Sequence, residues 1–115
     1  MTSLAVIAAA SVSSPAGAES IARDPIQQEV RRSLPSIRRC YDQALVRNPA
    51  TAGRVTLQLV IGTDGRVRSV FVSTTTITDS AMLDCLVERA RRWRFLPNEA
   101  GDVTVRYPFH FAPAR

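Results

Sequence analysis

The sequence contains no lysine, a single histidine and only two cysteines. Its fifteen basic residues are therefore all arginine, and they exceed ten acidic residues to give a formal net charge of +5. An arginine-only set is typical of a GC-rich genome, so it does not by itself indicate a function. The positive charge favours weak attraction to anionic surfaces and carries no information about the fold.

The shortage of histidine and cysteine argues against several kinds of chemistry. One histidine and two widely separated cysteines do not make a zinc site, and no Cys-x-x-Cys pair indicates redox activity. The sequence also has no glycine-rich phosphate loop and no Ser-His-Asp set. We therefore predict no catalytic residues, no metal, no cofactor and no enzymatic activity, with a small enzyme of unidentified class as an alternative.

Nucleic-acid binding is the other alternative, because arginine is so abundant. The arginines are spread over both predicted helices with acidic residues among them, and no aromatic row lies on the outer face of the predicted sheet. We expect no nucleic-acid partner. Steep salt-dependent retention on DNA would favour this alternative.

No apolar run is long enough to cross a membrane. The run from Leu4 to Ala10 is followed by Ala16-Gly17-Ala18, a pattern typical of a signal-peptidase site, although no basic residue precedes the run. The pattern predicts residues 1–18 as a signal peptide and 19–23 as a linker, with a disordered leader as the alternative reading. Cleavage would leave no transmembrane helix and a periplasmic or secreted chain.

The stretch from Val55 to Ser73 organises the rest of the chain. Apolar residues alternate with polar ones from Val55 to Ile61, which predicts a strand with one buried face. Asp64-Gly65 then indicates a hairpin turn. The apolar phase changes between Val67 and Val70 in the second strand, which predicts a bulge or strong twist.

Two amphipathic helices and a third strand flank this hairpin. The first helix is predicted to begin at Asp24-Pro25, to kink or restart at Pro35 with Ser33 as a new cap, and to end at Asn48-Pro49. Thr78 or Asp79 is predicted to cap the second. The third strand, from Val103 to Phe111, has its odd positions inward, and Pro108 marks an edge strand or an unpaired side.

These elements predict an α+β domain over residues 24–113, with the order α-β-β-α-β. The simplest arrangement packs both helices on one face of a three-stranded antiparallel sheet.

Cys40 and Cys85 lie at or beside the apolar stripes of the two helices. Packing on one sheet face could bring them within bridging distance, and the predicted export favours a disulfide over two buried free thiols. Such a bond would close a loop of about 46 residues, for which the chain-entropy estimate is about 4 kcal/mol.

Several short motifs together resemble the TonB-like C-terminal domain, in the branch found at the end of AgmX/PglI-type gliding-motility proteins. The resemblance covers roughly residues 25 to 113, and the paired cysteines fit that branch. The motifs are Leu34-Pro35, Ile37-Arg38, Cys40-Tyr41, Asn48-Pro49, Gly53-Arg54-Val55, Asp64-Gly65-Arg66-Val67, Cys85, Trp93-Arg94-Phe95 and Tyr107-Pro108-Phe109.

The resemblance implies a non-catalytic protein-interaction module of the cell envelope, related to TonB-like transport or motility machinery. In TonB relatives the last strand offers its edge to an extended peptide of a partner, by strand addition. Here Thr104, Arg106 and His110 on the outer face of the last strand would contact the partner, an envelope or periplasmic protein. The sequence has no long proline-rich linker of the kind that an energy transducer carries.

Overall fold

A computed structural model describes the backbone of residues 4–8, 11–13 and 16–113 and the side chains of residues 26–113. One antiparallel sheet has the strand order β1-β5-β3-β4, and β2 also pairs with β5. The elements in chain order are β1 (Leu4–Ala8), β2 (Ser11–Ser13), α1 (Ala16–Arg47), β3 (Gly53–Ile61), β4 (Val67–Thr75), α2 (Ser80–Arg91) and β5 (Val103–Pro113). The predicted α-β-β-α-β order is confirmed, and two N-terminal strands precede it.

The core lies between the helices and one face of the sheet. The odd positions of β3 and β5 are buried, as the alternation of apolar residues predicts. They share a single hydrophobic cluster with the apolar stripes of both helices, which confirms that the helices cover the same face. The largest fully buried side chains include Tyr41, Phe109, Phe111, Ile37, Leu57 and Leu59.

The hairpin between β3 and β4 forms as predicted. Gly65 closes the turn with a φ of 84°, a conformation that strongly favours glycine. The register of β4 shifts at two places, opposite Thr56/Leu57 and opposite Val60/Ile61. The second shift lies between Val67 and Ser69, where the sequence predicts a bulge, and the first was not predicted.

Helix α1 is longer than the sequence predicts. It begins at Ala16 instead of at Asp24-Pro25, so it includes the residues that were predicted to form a linker. It also continues through Pro35, so Ser33 lies inside the helix and does not cap a new one. Proline removes one helical hydrogen bond, but burial of Val30 and Ile37 on either side favours the continuous helix. Its end at Arg47 is as predicted.

The predicted disulfide joins the two helices. Cys40 of α1 is fully buried, and its sulfur is bonded to that of Cys85 in α2, with the two Cα atoms 5.7 Å apart. The bond spans a sequence separation of 45 residues. It therefore fixes the first helix to the element that follows the hairpin.

The segment after α2 returns to the hairpin turn and contacts its backbone. The Phe95 amide donates to the Gly65 carbonyl oxygen at 2.8 Å, and the Asn98 amide donates to that of Thr63 at 2.9 Å. A side chain at position 65 would collide with the carbonyl oxygen of Phe95. Trp93, just before this contact, is 3% exposed, which is consistent with a role in the core. The spacing of the Asp-Gly and Trp-Arg-Phe motifs thus reflects one structural contact.

Strands β1 and β2 lie within residues 1–18, where the sequence predicts a signal peptide or a disordered leader. Both pair with β5 in an antiparallel sense, with Ile7 opposite His110 and Ser11 opposite Arg106. Of the two predictions for Pro108, an edge strand is wrong for the chain before any cleavage, since β5 lies between β1 and β3. The other, an unpaired side, concerns a position that lies outside the described residues. Removal of the leader by a signal peptidase stays a prediction.

Candidate partner-binding edge

The side of β5 that faces away from β3 is the candidate site, and Pro108 determines which backbone groups face it. Pro108 lies opposite Thr56 in the ladder with β3 and has no N–H to donate. A hydrogen-bonded antiparallel pair needs an N–H from both residues, so Thr56 and Pro108 form a non-hydrogen-bonded pair. The alternation of the ladder then directs the N–H and C=O groups of odd-numbered β5 residues to β3, and those of even-numbered residues away from it.

Thr104, Arg106 and His110 are all even-numbered, so their backbone groups face this outer side. In the chain as described, they lie opposite Ser13, Ser11 and Ile7, respectively. The sequence selected these three residues for their side chains on the outer sheet face. The structure places Arg106 and His110 exposed on that face and Thr104 partly exposed. Their backbone position at the strand edge could not be read from the apolar alternation.

β1 and β2 share one register along β5, with Ala8 opposite Phe109 and Ser11 opposite Arg106. The two strands therefore add to β5 as one continuous antiparallel alignment over the described residues.

Side chains on the open face of the sheet give the edge a basic character. The Arg106 Nε donates to the Gln58 Oε1 at 2.9 Å, which holds the guanidinium against β3. His110 lies opposite Arg54 in the same ladder. A partner strand with a basic residue opposite Arg106 would meet a like charge, which destabilises a cross-strand pair.

The helix-covered face of β5 is aromatic and buried. The rings of Tyr107 and Phe109 lie 5.2 Å apart, and those of Phe109 and Phe111 lie 6.1 Å apart. Burial raises the pKa of Tyr107 above its usual value of 10.0, and the opposing effect of Arg31 is smaller. Tyr107 is therefore neutral at physiological pH, and this face anchors β5 in the core.

Two further contacts connect α1 to the loop before β3 and to the start of α2. The Tyr41 hydroxyl donates to the Thr51 carbonyl oxygen at 2.6 Å, and burial raises the pKa of this tyrosine. Asp79 caps α2 by accepting from the Met82 amide, and both of its oxygens accept from the Arg47 guanidinium at 3.0 Å. The Arg47 hydrogen bond and then the Met82 amide lower the pKa of Asp79.

Among the described residues, no three histidine, cysteine, aspartate or glutamate side chains are grouped to hold a metal ion. No helix within the described ranges has the length and apolar character needed to cross a bilayer.

Comparison with known proteins finds similarity to a curated protein. The chain is similar to the tyrosine-protein kinase MasK of Myxococcus xanthus strain DK1622, with 33% identity over 86 residues. The match covers 75% of this chain and 13% of MasK. No family model matches the chain, and no solved structure matches it.

Proposed function

We propose that this chain is an exported, non-catalytic protein-interaction domain of the cell envelope that binds a partner by strand addition at β5. One observation carries this proposal: the outward backbone groups of β5 already accept an added antiparallel strand along most of its length. In strand addition, main-chain hydrogen bonds supply affinity and alternate side chains supply specificity. The edge therefore has the geometry that this mode of binding needs.

The cross-link between Cys40 and Cys85 supports export to the periplasm or beyond. Disulfides persist in oxidising compartments and are rare in the reducing cytosol. The apolar run and the Ala16-Gly17-Ala18 pattern point in the same direction. We therefore propose a periplasmic or secreted protein that matures at Glu19.

The similarity to MasK does not make this chain a kinase. The sequence has no lysine, so it has no counterpart of the ATP-binding lysine, and it lacks the His-Arg-Asp and Asp-Phe-Gly motifs of protein kinases. We infer that the segment shared with MasK is a domain other than its catalytic one. An accessory domain that makes up 13% of a larger protein fits an interaction module.

The TonB-like resemblance supplies the finer part of the proposal. Its motifs include Asp64-Gly65 and Trp93-Arg94-Phe95, which contact one another through the Phe95 amide. We propose that the chain serves TonB-like transport or motility machinery and that its partner is another envelope protein.

The test is partner recovery from an envelope fraction with two variants of one residue. Arg106→Pro removes an N–H that faces the partner side and leaves the ladder with β3 intact, as Pro108 does naturally. Arg106→Ala removes the same side chain and keeps the N–H. We expect the wild type and Arg106→Ala to recover the same protein and Arg106→Pro to lose it.

Equal recovery by the proline and alanine variants would contradict strand addition at β5. Intact mass under non-reducing conditions and amide exchange of the odd-numbered β5 residues verify that each variant is folded. Sequencing the N-terminus of the native protein, together with its cell fraction, tests export. A native chain that keeps residues 1–18 in the cytoplasm would contradict the proposed location.

A further inference from the structure

The chain carries its own example of an added strand at the β5 edge. Residues 4–13 contain no charged residue and consist of aliphatic and hydroxyl-bearing residues. The positions opposite the buried Val105, Phe109 and Phe111 are held by Val12, Ala8 and Val6, respectively. Every described position that lies opposite a buried β5 residue is thus occupied by an aliphatic residue.

The positions opposite the exposed β5 residues have a different requirement. Ser11 and Ser13 lie opposite Arg106 and Thr104, and Ile7 lies opposite His110. None of these residues brings a positive charge to the arginine and histidine of the open face. The occupant therefore matches both the apolar core side and the basic outer side of β5.

We propose that β1 and β2 occupy the partner site while they remain attached, and that the site accepts an uncharged strand of small aliphatic and hydroxyl residues, antiparallel to β5. This inference rests on the proposed function, because it assigns the chemistry and the control of the same edge. Removal or displacement of the segment opens β5. Partner binding then follows cleavage of the leader and is blocked before it.

The experiment measures binding of a synthetic peptide of residues 4–13, with a polar solubilising tag, to two forms of the protein. The first form is the full chain, and the second begins at Glu19. Among the residues whose side chains the structure describes, the buried core extends from Ile26 to Phe111 and includes the disulfide, and the shorter form retains this cluster. We expect the peptide to bind the shorter form and to bind the full chain at least about tenfold more weakly, since the attached segment competes at high effective concentration.

Backbone methylation of the peptide provides a matched control. Since the even-numbered β5 residues face the added strand, the odd-numbered peptide residues opposite them donate to β5. Methylating the amides of Ile7 and Ser11 removes two of these donors and should weaken binding about tenfold to a hundredfold. Methylating Val6 and Val12 adds the same two methyl groups on the solvent side and should leave affinity within about threefold.

Two substituted peptides test the required chemistry. Val6→Asp with Val12→Asp places charges opposite Phe111 and Val105, where a carboxylate would lose its hydration. Ala5→Asp with Ser13→Asp places the same charges opposite Ala112 and Thr104. We expect the first peptide to lose binding and the second to keep it.

Equal binding by the two methylated peptides, or equal binding to the long and short forms, would overturn the inference. If the shorter form does not fold alone, restoration of its fold by the peptide, with the same methylation pattern, gives the same answer. The proposed function can fail independently of this inference. If the peptide binds with this methylation pattern but no envelope protein depends on the Arg106 amide, the proposed occupancy of the β5 edge is supported. The proposal of an envelope partner is then contradicted.

Discussion

At one edge of the sheet, β4 passes through two register shifts, whereas β5 keeps one register against β3 from Val103 to Phe111. A bulge bends a strand and disrupts the even row of backbone groups that a new strand would need. Natural edge strands use bulges to resist pairing with other chains. The bulged β4 is thus protected by its shape, and the regular β5 is covered by the separate strands β1 and β2. Under the proposed function, cleavage of the leader would remove this cover and free the edge for a partner.

The two strands also differ in how their aromatic residues are used. Phe109 of β5 is fully buried beneath the helices, whereas Phe71 of β4 is 49% exposed on the opposite face. The strand proposed to bind a partner is therefore the one more firmly fixed in the core. A rigid template loses less conformational entropy when a partner strand is added.

The largest expected effect separates these two aromatic residues. Phe109→Ala removes a fully buried ring and should lower the free energy of unfolding by about 3–5 kcal/mol. Phe71→Ala removes a half-exposed ring and should change it by about 0.5 kcal/mol or less. Urea unfolding of the oxidised proteins measures both. Similar losses for the two variants would mean that β4 is as firmly held as β5.

The second prediction concerns the cross-link. Replacing both Cys40 and Cys85 by alanine should cost about 2–5 kcal/mol, because the unfolded chain is no longer restrained by a closed loop. For a domain of this size that is a large share of a total of about 5–15 kcal/mol. Unfolding of the wild type with and without reductant, beside the double variant, measures the effect. A reduced wild type as stable as the oxidised one would contradict this expectation.

Amide exchange at β5 gives a smaller and more local effect. In the full chain, the amides of Arg106 and His110 should be protected by the N-terminal strands. In the chain that begins at Glu19, they should exchange about tenfold faster or more. The amides of Val105 and Phe109 bond to β3 and serve as internal controls, since they should stay slow in both forms. Loss of protection at odd and even positions alike would indicate unfolding instead of an opened edge.

Sequence patterns predicted those parts of the fold that local physics determines. The alternation from Val55 to Ile61, the Asp64-Gly65 turn and the Asp79 cap each express a preference within a few residues. The disulfide between Cys40 and Cys85 was predicted from two helical stripes on one face together with the expected export, which favoured a bond over two free thiols. The start of α1 was wrong, because Pro25 and Pro35 signal helix boundaries locally but tertiary packing favours a continuous helix.

The pairing of β1 and β2 with β5 could not be predicted, because it joins segments that are far apart in the sequence. The apolar run from Leu4 is equally typical of the core of a signal peptide. Its pattern does not indicate which distant strand it would pair with. Pro108 did contain information about the edge. Because Pro108 has no N–H, it determines whether the odd-numbered or the even-numbered β5 residues hydrogen-bond to β3. This can be deduced only once its pairing with Thr56 is known.

The smallest effect is expected at the junction of β4 and α2, where Asp79 meets Arg47. Because the folded state lowers the pKa of Asp79 below its usual 3.8, this carboxylate adds stability above pH 3.8 that is lost as the pH falls through the lower folded-state value. Asp79→Asn keeps a cap for the Met82 amide but cannot form the ion pair. Stability measured from about pH 5 to about pH 2 should therefore fall more steeply for the wild type than for the variant, and the two curves should converge in acid. Asp84→Asn, at an exposed position of the same helix, controls for the change in net charge. Parallel curves for wild type and Asp79→Asn would show that the cap alone stabilises this junction, and that the ion pair between Asp79 and Arg47 adds no stability.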